Sequence, residues 1–319
     1  VVSRHPGAWY YYIPVIMVGL LPWSIYLPLA IAKLKFWQRQ KWVNSSRTTH
    51  LGIFCLCWFL VVLVFFSSSV TKLAGYVLPL MPAAAIMIAL FWSEQVETQS
   101  EESSGIWSFW FLLSGLANVG ILTGLAVASF ASPHLIGEDA MMPQFKELLQ
   151  ASNLSIKAGI IWSSAAFSCL LFLLFRHYRR WLWVANLLGF LAFFSWVGLP
   201  VAQIVDNQRQ LPLRELSTIV KTERQPEERL AFLGFMRPTL VFYTQEVVDS
   251  VTEADIDNGP ALDYFQRMDS PDTVLIISEQ KYLNKLGLEK SDYTLIQQEG
   301  VYKLLRVSKQ IVVERYKNR

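Results

Sequence analysis

Charge is missing from six long stretches of the 319-residue sequence: Trp9 to Ala32, Leu51 to Ser69, Leu73 to Ser93, Ile106 to Pro133, Ala158 to Phe175 and Trp181 to Val205. Each runs for 18 to 28 residues, and about 20 apolar residues suffice to cross the hydrocarbon core as a helix. An ordinary soluble domain is excluded. Cysteine is scarce as well. Cys55, Cys57 and Cys169 all lie inside apolar stretches, and an odd count of three gives no disulfide framework. The four histidines, His5, His50, His134 and His177, are scattered without ligand spacing, so no metal centre is expected from them. A net charge of +3, with no basic cluster interleaved with aromatics, excludes a nucleic-acid partner. What is abundant is apolar: 53% of residues are hydrophobic, including 12 Trp, 12 Tyr and 20 Phe. The composition is that of a polytopic α-helical membrane protein with six transmembrane helices.

Basic residues are retained on the cytoplasmic side of short loops, which sets the orientation. Lys33, Lys35, Arg39, Lys41 and Arg47 fall in the first loop and Arg176, Arg179 and Arg180 in the fifth; Arg4, Lys72, Lys146 and Lys157 fall on the other side. Eight against four places loops one, three and five in the cytoplasm and both chain ends outside it. The third loop carries Glu94, Glu97, Glu101 and Glu102 without a basic residue, but acidic residues weigh little in this rule. The sequence opens on Val1 and has neither a basic n-region nor a small-residue cleavage site ahead of the first span, so it reads as the remainder of a longer chain.

After Val205 the character changes. Residues 206–319 carry 16 basic and 18 acidic side chains and no span-length apolar run. A transmembrane domain over 1–205 and a soluble extracytoplasmic α/β domain over 206–319 are expected. In the latter, Leu213 to Lys221 reads as a helix, while Leu230 to Phe235 and Thr273 to Ser278 read as buried strands. Pro238 to Tyr243 can open a helix, and Tyr264 to Met268 can belong to another. Tyr293 to Ile296 and Tyr302 to Val307, flanking Glu299-Gly300, suggest a terminal hairpin. Within the membrane part, Val70-Thr71-Lys72 suggests a tight turn between spans two and three. Met141 to Leu149 is partly amphipathic, suiting either an interfacial or an ordinary connecting helix. Gly120 and Gly124 form a small-residue pair at packing spacing. Pro14, Pro22 and Pro28 predict a kinked first span.

Polar groups meet the membrane boundary on the non-cytoplasmic side in two places. In Arg4-His5-Pro6-Gly7-Ala8-Trp9-Tyr10-Tyr11-Tyr12 a cation precedes four consecutive aromatics. An interfacial belt accounts for the aromatics, and a guanidinium is suited to an anionic headgroup or a phosphate. In the second hairpin Lys72 and Tyr76 are four positions apart, which on a helix puts them on one face. The lysine suits either a snorkelling anchor or a ligand contact.

The runs Arg4 to Pro14, Gly19-Leu20-Leu21-Pro22-Trp23, Leu27-Pro28, Phe65-Phe66-Ser67 and Lys72-Leu73-x-x-Tyr76-x-Leu78-Pro79 resemble the second half of the bacterial glycosyltransferase family 39 enzymes. That group includes the aminoarabinose lipid A transferases and is related to the protein mannosyltransferases. The resemblance is strong from Arg4 to about Trp92 and is one of order and topology beyond it. It departs at Ala74, where the family usually has Pro.

The resemblance implies a GT-C type fold and transfer of a hexosyl or pentosyl group from a polyprenyl-phosphate carrier to an envelope acceptor at the inner membrane. It implies no cofactor from this segment and leaves open a divalent metal in the complete enzyme. The family's catalytic acidic residue lies upstream of the segment present here, so no catalytic residue is assigned and this segment alone is expected to be inactive. Lys72 and Tyr76 match the family motif at the cavity mouth and, with Arg4, are the expected substrate-binding residues. The partners implied are the lipid-linked sugar and membrane lipids; sugar and acceptor stay open. The rival readings are a transporter subunit, disfavoured because no span interior carries an ionisable residue, and a noncatalytic membrane anchor with an extracytoplasmic binding domain.

Overall fold

A computed structural model describes residues 7–38, 43, 47–97, 105–235, 237–268 and 272–317. Arg4, and Arg39, Lys41, Glu101 and Glu102 of the loop count, lie outside them. The chain divides into two compact units, Val1–Leu135 with Asn153–Leu199, and Ile136–Ser152 with Pro200–Arg319.

The first unit is helical. Helices α1 (Tyr12–Gly19) and α2 (Leu27–Lys33) are followed by α3 (Arg47–Ser68), α4 (Met81–Glu97), α5 (Gly105–Leu135), α7 (Leu154–Leu174) and α8 (Leu182–Phe193); the intervening α6 (Phe145–Ala151) belongs to the second unit. Among the described residues five helical stretches are long and apolar enough to cross a membrane: His50–Ser68, Ala74–Val96, Ser108–Leu135, Leu154–Leu174 and Arg176–Arg209. The first apolar stretch is more than kinked. Its two helical pieces, Tyr12–Gly19 and Ser24–Lys33, meet at 118°, across a segment containing the cis Leu21–Pro22 peptide. Proline removes a backbone donor and restricts its neighbour, which accounts for the break.

Side chains set the helix approaches. Tyr26 is fully buried, its ring 5.0 Å from that of Trp92. The close-packing glycines are not the pair expected: a Cβ on Gly120 or Gly124 would meet nothing within 4 Å, whereas one on Gly115 would lie 2.5 Å from Leu173 and one on Gly159 would strike the ring of Phe130. Spacing within one helix does not say which face meets a neighbour. Lys33 Nζ and Glu94 form an ion pair at 2.6 Å, so the ends of α2 and α4 lie on the same side, as the alternation of loops one and three requires.

The second unit contains α9 (Leu199–Arg209) from Pro200 onward, α10 (Leu211–Glu223) and a five-stranded sheet: β1 (Arg229–Leu233), β2 (Val248–Val251), β3 (Thr273–Glu279), β4 (Tyr293–Glu299) and β5 (Tyr302–Ser308). Helices α11 (Pro238–Thr244), α12 (Glu253–Asn258), α13 (Pro260–Arg267), α14 (Gln280–Lys285) and α15 (Lys309–Lys317) complete it. The sheet order is β2-β1-β3-β5-β4. β1 runs parallel to β2 and β3; β5 is antiparallel to β3 and β4. Alternation along the strands feeds two cores. Leu230, Phe232, Leu275, Ile277 and Leu304 pack with Leu213, Leu216 and Val220 of α10 and Leu240 of α11. Ala231, Leu233, Val274, Ile276 and Leu305 pack with Ile256, Phe265, Leu283 and Val312. The result is a three-layer α/β/α unit with helices on both sheet faces.

A buried carboxylate ties the strands together. Glu228, fully buried just before β1, accepts from Arg306 Nε at 2.9 Å and Nη2 at 3.1 Å, Thr273 Oγ1 at 3.0 Å and the Gln225 amide at 3.1 Å. Burial opposes its ionisation, but the Arg306 guanidinium and the other donors outweigh that and hold its carboxyl below the usual range.

Candidate functional site

The end of α3 organises the polar hairpin. The last carbonyls of any helix lack intrahelical partners and carry its negative dipole end. Here a lysine from the following segment supplies the donors: Lys72 Nζ bonds Ser67 O at 2.6 Å and Phe66 O at 3.0 Å. Lys72 is only 4% exposed, so its stem does not extend outward as a snorkelling side chain would; it folds back onto the helix it follows.

Lys72 and Tyr76 do not share a helical face. Leu73 is extended, at φ −130° and ψ 136°, and the chain then enters a three-ten turn over Ala74–Leu80, with Pro79 inside it, before α4. The expected tight turn is therefore extended chain followed by a tightened first turn of the third span. Lys72 and Tyr76 still converge on one helix end, because the Tyr76 ring stacks on Phe66 at 5.2 Å between centroids and 29° between planes, and Phe66 also contributes a carbonyl to Lys72. Tyr76 is 37% exposed, so this face of the cluster is open.

Tyr12 supplies a third wall. It is fully buried at the start of α1, with its ring centroid 5.4 Å from Lys72 Nζ, a cation–π separation. Gly7 makes room: a Cβ there would lie 2.6 Å from Lys72 Cγ. Trp9 and Tyr10 are 72% and 55% exposed and Tyr11 is half-buried, so the aromatic run divides into two exposed rings, one intermediate and one that closes over the lysine. The division between Tyr10 and Tyr12 was not legible in the sequence, since four adjacent aromatics look alike until the chain turns. Arg4 lies outside the described residues.

Sequence reasoning also passed over a polar contact inside the helical unit. Asn118 of α5 donates from Nδ2 to Asn186 Oδ1 of α8 at 3.1 Å and to Cys169 Sγ of α7 at 3.8 Å. All three are fully buried. Asn118 and Asn186 are each the one asparagine of a charge-free stretch, and that was the available signal. In the other unit Asp139, half of the acidic pair Glu138-Asp139, accepts from the Met141 amide at 2.8 Å and pairs with Arg209 at 3.3 Å. Its carboxylate serves the loop in which it sits.

A cation held between two helix-end carbonyls and the ring face of Tyr12, with the partly exposed Tyr76 stacked on the same Phe66, is a group that can pair with an anion such as a phosphate. Residues 223–319 match the family described as Cyanobacterial RgtA-type glycosyltransferase, C-terminal domain. Over 167 residues the chain is 32% identical to an undecaprenyl phosphate-alpha-4-amino-4-deoxy-L-arabinose arabinosyl transferase of Photorhabdus laumondii, covering 52% of this chain and 27% of the relative. It is 31% identical over 159 residues to the transferase of that name in Pectobacterium atrosepticum, covering 50% and 25%. Over those stretches the chain is similar to bacterial aminoarabinose transferases. Its fold agrees: the crystal structure of ArnT from Cupriavidus metallidurans bound to undecaprenyl phosphate superposes with a TM-score of 0.61 at 16% identity, covering 95% of this chain and 53% of that one. The apo structure of the same protein gives 0.60, covering 97% and 55%. The apolar helices followed by a C-terminal sheet unit therefore share the fold of that protein. The chain spans about a quarter of the length of the curated relatives that it matches.

Proposed function

We propose that this chain forms part of an integral membrane glycosyltransferase that transfers a sugar from a polyprenyl-phosphate carrier to an envelope acceptor, and that Lys72 and Tyr76 face the carrier phosphate. The observation that carries the reading is the buried Lys72 ammonium in the α3–α4 hairpin, walled by Tyr12, with the partly exposed Tyr76 stacked on the Phe66 whose carbonyl it bonds. In the transfer, the bond from the anomeric carbon to the phosphate oxygen breaks while an acceptor oxygen bonds to that carbon and gives up its proton to a base. Polyprenyl phosphate leaves and gathers negative charge. A preorganised cation beside that charge lowers the barrier, and does so most where water is excluded. Two of the three Lys72 N–H groups go to Phe66 O and Ser67 O, which fixes the ammonium in place and directs the remaining one to the ligand. The Tyr76 hydroxyl adds a neutral donor, and Arg4 a second cation.

On this reading the α/β unit lies on the extracytoplasmic side of the inner membrane, where the lipid-linked donor is presented. The names of the relatives point to an aminopentose as the sugar. A transporter or a passive anchor would need neither a lipid-linked sugar nor a cation held at this hairpin.

The test uses the complete enzyme encoded by the parent reading frame, supplied with a polyprenyl-phosphate sugar at limiting concentration. Lys72→Met is expected to lower kcat/KM at least about tenfold, roughly 1.4 kcal/mol. Tyr76→Phe is expected to cost less, since only a neutral hydroxyl is removed. Full activity of Lys72→Met at limiting donor would remove the lysine from the site.

A further inference from the structure

Lys72 is a buried cation that pairs with no carboxylate among the described residues. Its ammonium meets two backbone carbonyls, Phe66 O at 3.0 Å and Ser67 O at 2.6 Å, and the ring of Tyr12, with 5.4 Å from Nζ to the centroid. A cation taken out of water is costly unless other groups replace its hydration. The carbonyls belong to the backbone at the end of α3, so Tyr12 is the side chain on which the seat of this ammonium depends.

Tyr12 is itself firmly held. It is fully buried in the helical core, at the first residue of α1. Two turn bonds, Tyr11 N to Ala8 O at 3.0 Å and Ile13 N to Tyr10 O at 2.9 Å, fix the backbone on either side of it. The Tyr11 ring packs against it edge to face, at 5.1 Å and 80°. The same segment confines the stem of the lysine, because a Cβ on Gly7 would come within 2.6 Å of Lys72 Cγ and 3.1 Å of its Cβ. Gly7 thus lies at the stem and Tyr12 at the head.

A carboxylate in place of the ring would hold the ammonium and cancel its charge. An aromatic face attracts a cation through its quadrupole and carries no net charge, so the ammonium keeps its charge for an incoming anion. We propose that Tyr12 is a positioning residue that acts through Lys72: its ring holds the ammonium where the phosphate of the lipid-linked donor arrives, without neutralising it. This rests on the reading of Lys72 as a phosphate contact. The property that matters is the electron density of the ring face.

A graded change at position 12 of the complete enzyme, encoded by the parent reading frame, tests this. Tyr12→Phe is the reference, and phenylalanines carrying one, two and three ring fluorines are introduced at the same codon. Each fluorine draws density from the ring face with little change of size. At limiting polyprenyl-phosphate sugar, kcat/KM is expected to fall stepwise with fluorine number, by about tenfold in total for three. In a Lys72→Met background the series is expected to be flat. A flat series with Lys72 present, beside an impaired Lys72→Met, would overturn the role of Tyr12 and leave the lysine in the site. An equal decline in the Lys72→Met background would overturn it too, since the ring would then act without the lysine. Full activity of Lys72→Met would end both readings.

Discussion

The ammonium of Lys72 stands 5.4 Å from the centre of the Tyr12 ring, so the segment that opens the first apolar stretch closes over the hairpin joining the next two. Lys72 is also the donor to the terminal carbonyls of α3. One residue thus holds a helix end and presents a cation.

Those two roles separate by measurement. Lys72→Met removes both carbonyl contacts and is expected to lower the stability of the detergent-solubilised chain by about 1–2 kcal/mol, read as a lower Tm. Lys72→Arg keeps a cation and donors and should recover most of that stability. Gly7→Ala, which drives a methyl onto Lys72 Cγ, should show a smaller loss in the same assay, because the lysine stem can shift. An unchanged Tm for Lys72→Met would show that the α3 carbonyls do not depend on it.

The buried asparagine pair behaves differently. Asn118→Leu leaves Asn186 without its donor in an apolar surround and should cost about 1 kcal/mol. The double variant Asn118→Leu, Asn186→Leu should cost less than the two single changes added, since no orphaned amide remains. Strict additivity in thermal unfolding would argue that the two amides do not interact.

Glu228 predicts a pH dependence in the sheet unit. Its folded pKa is depressed, so the stability it contributes is present above the ordinary carboxylate value of about 4.3 and is lost as pH falls through the folded value. Amide exchange in β1, β3 and β5 should therefore accelerate below that value beyond the intrinsic pH effect. Glu228→Ala, which leaves Arg306 only its contact with the Glu223 carbonyl, should remove this step and cost about 2–3 kcal/mol at neutral pH. Retention of the acid step in the variant would assign it to another carboxylate.

The side of the membrane can be read from labelling. Ser250 and Ser291 are both exposed, so cysteines placed there should react with an impermeant maleimide in intact cells once the outer membrane is opened. Reaction only after the inner membrane is permeabilised would invert the topology.

The sheet unit shows where local pattern suffices. β1, β3 and the β4–β5 hairpin are apolar runs or alternating pairs around Glu299-Gly300, and the strand period alone reveals them. The strand β2, Val248-Asp249-Ser250-Val251, has two polar residues in four and is a strand because Leu230 to Leu233 offer it a parallel edge. The helix α15 was missed because its charged residues mask a short apolar side, buried Val312 with Ile311, Val313 and Tyr316 beside it, that docks it on the core.

By itself the sequence determined what depends on local composition: the apolar spans, the charged C-terminal part, most of the strands, and the two polar side chains, Lys72 and Tyr76, around the start of the third apolar stretch. Tertiary structure alone decided what depends on direction. It turned Lys72 inward onto α3, selected Tyr12 from four adjacent aromatics to cover it, placed Gly115 and Gly159 rather than Gly120 and Gly124 at close contacts, and joined Asn118 to Asn186. Hydrophobicity is a property of each side chain and is summed along the chain. Burial and hydrogen bonding are properties of pairs, and the pairs form only when distant segments meet.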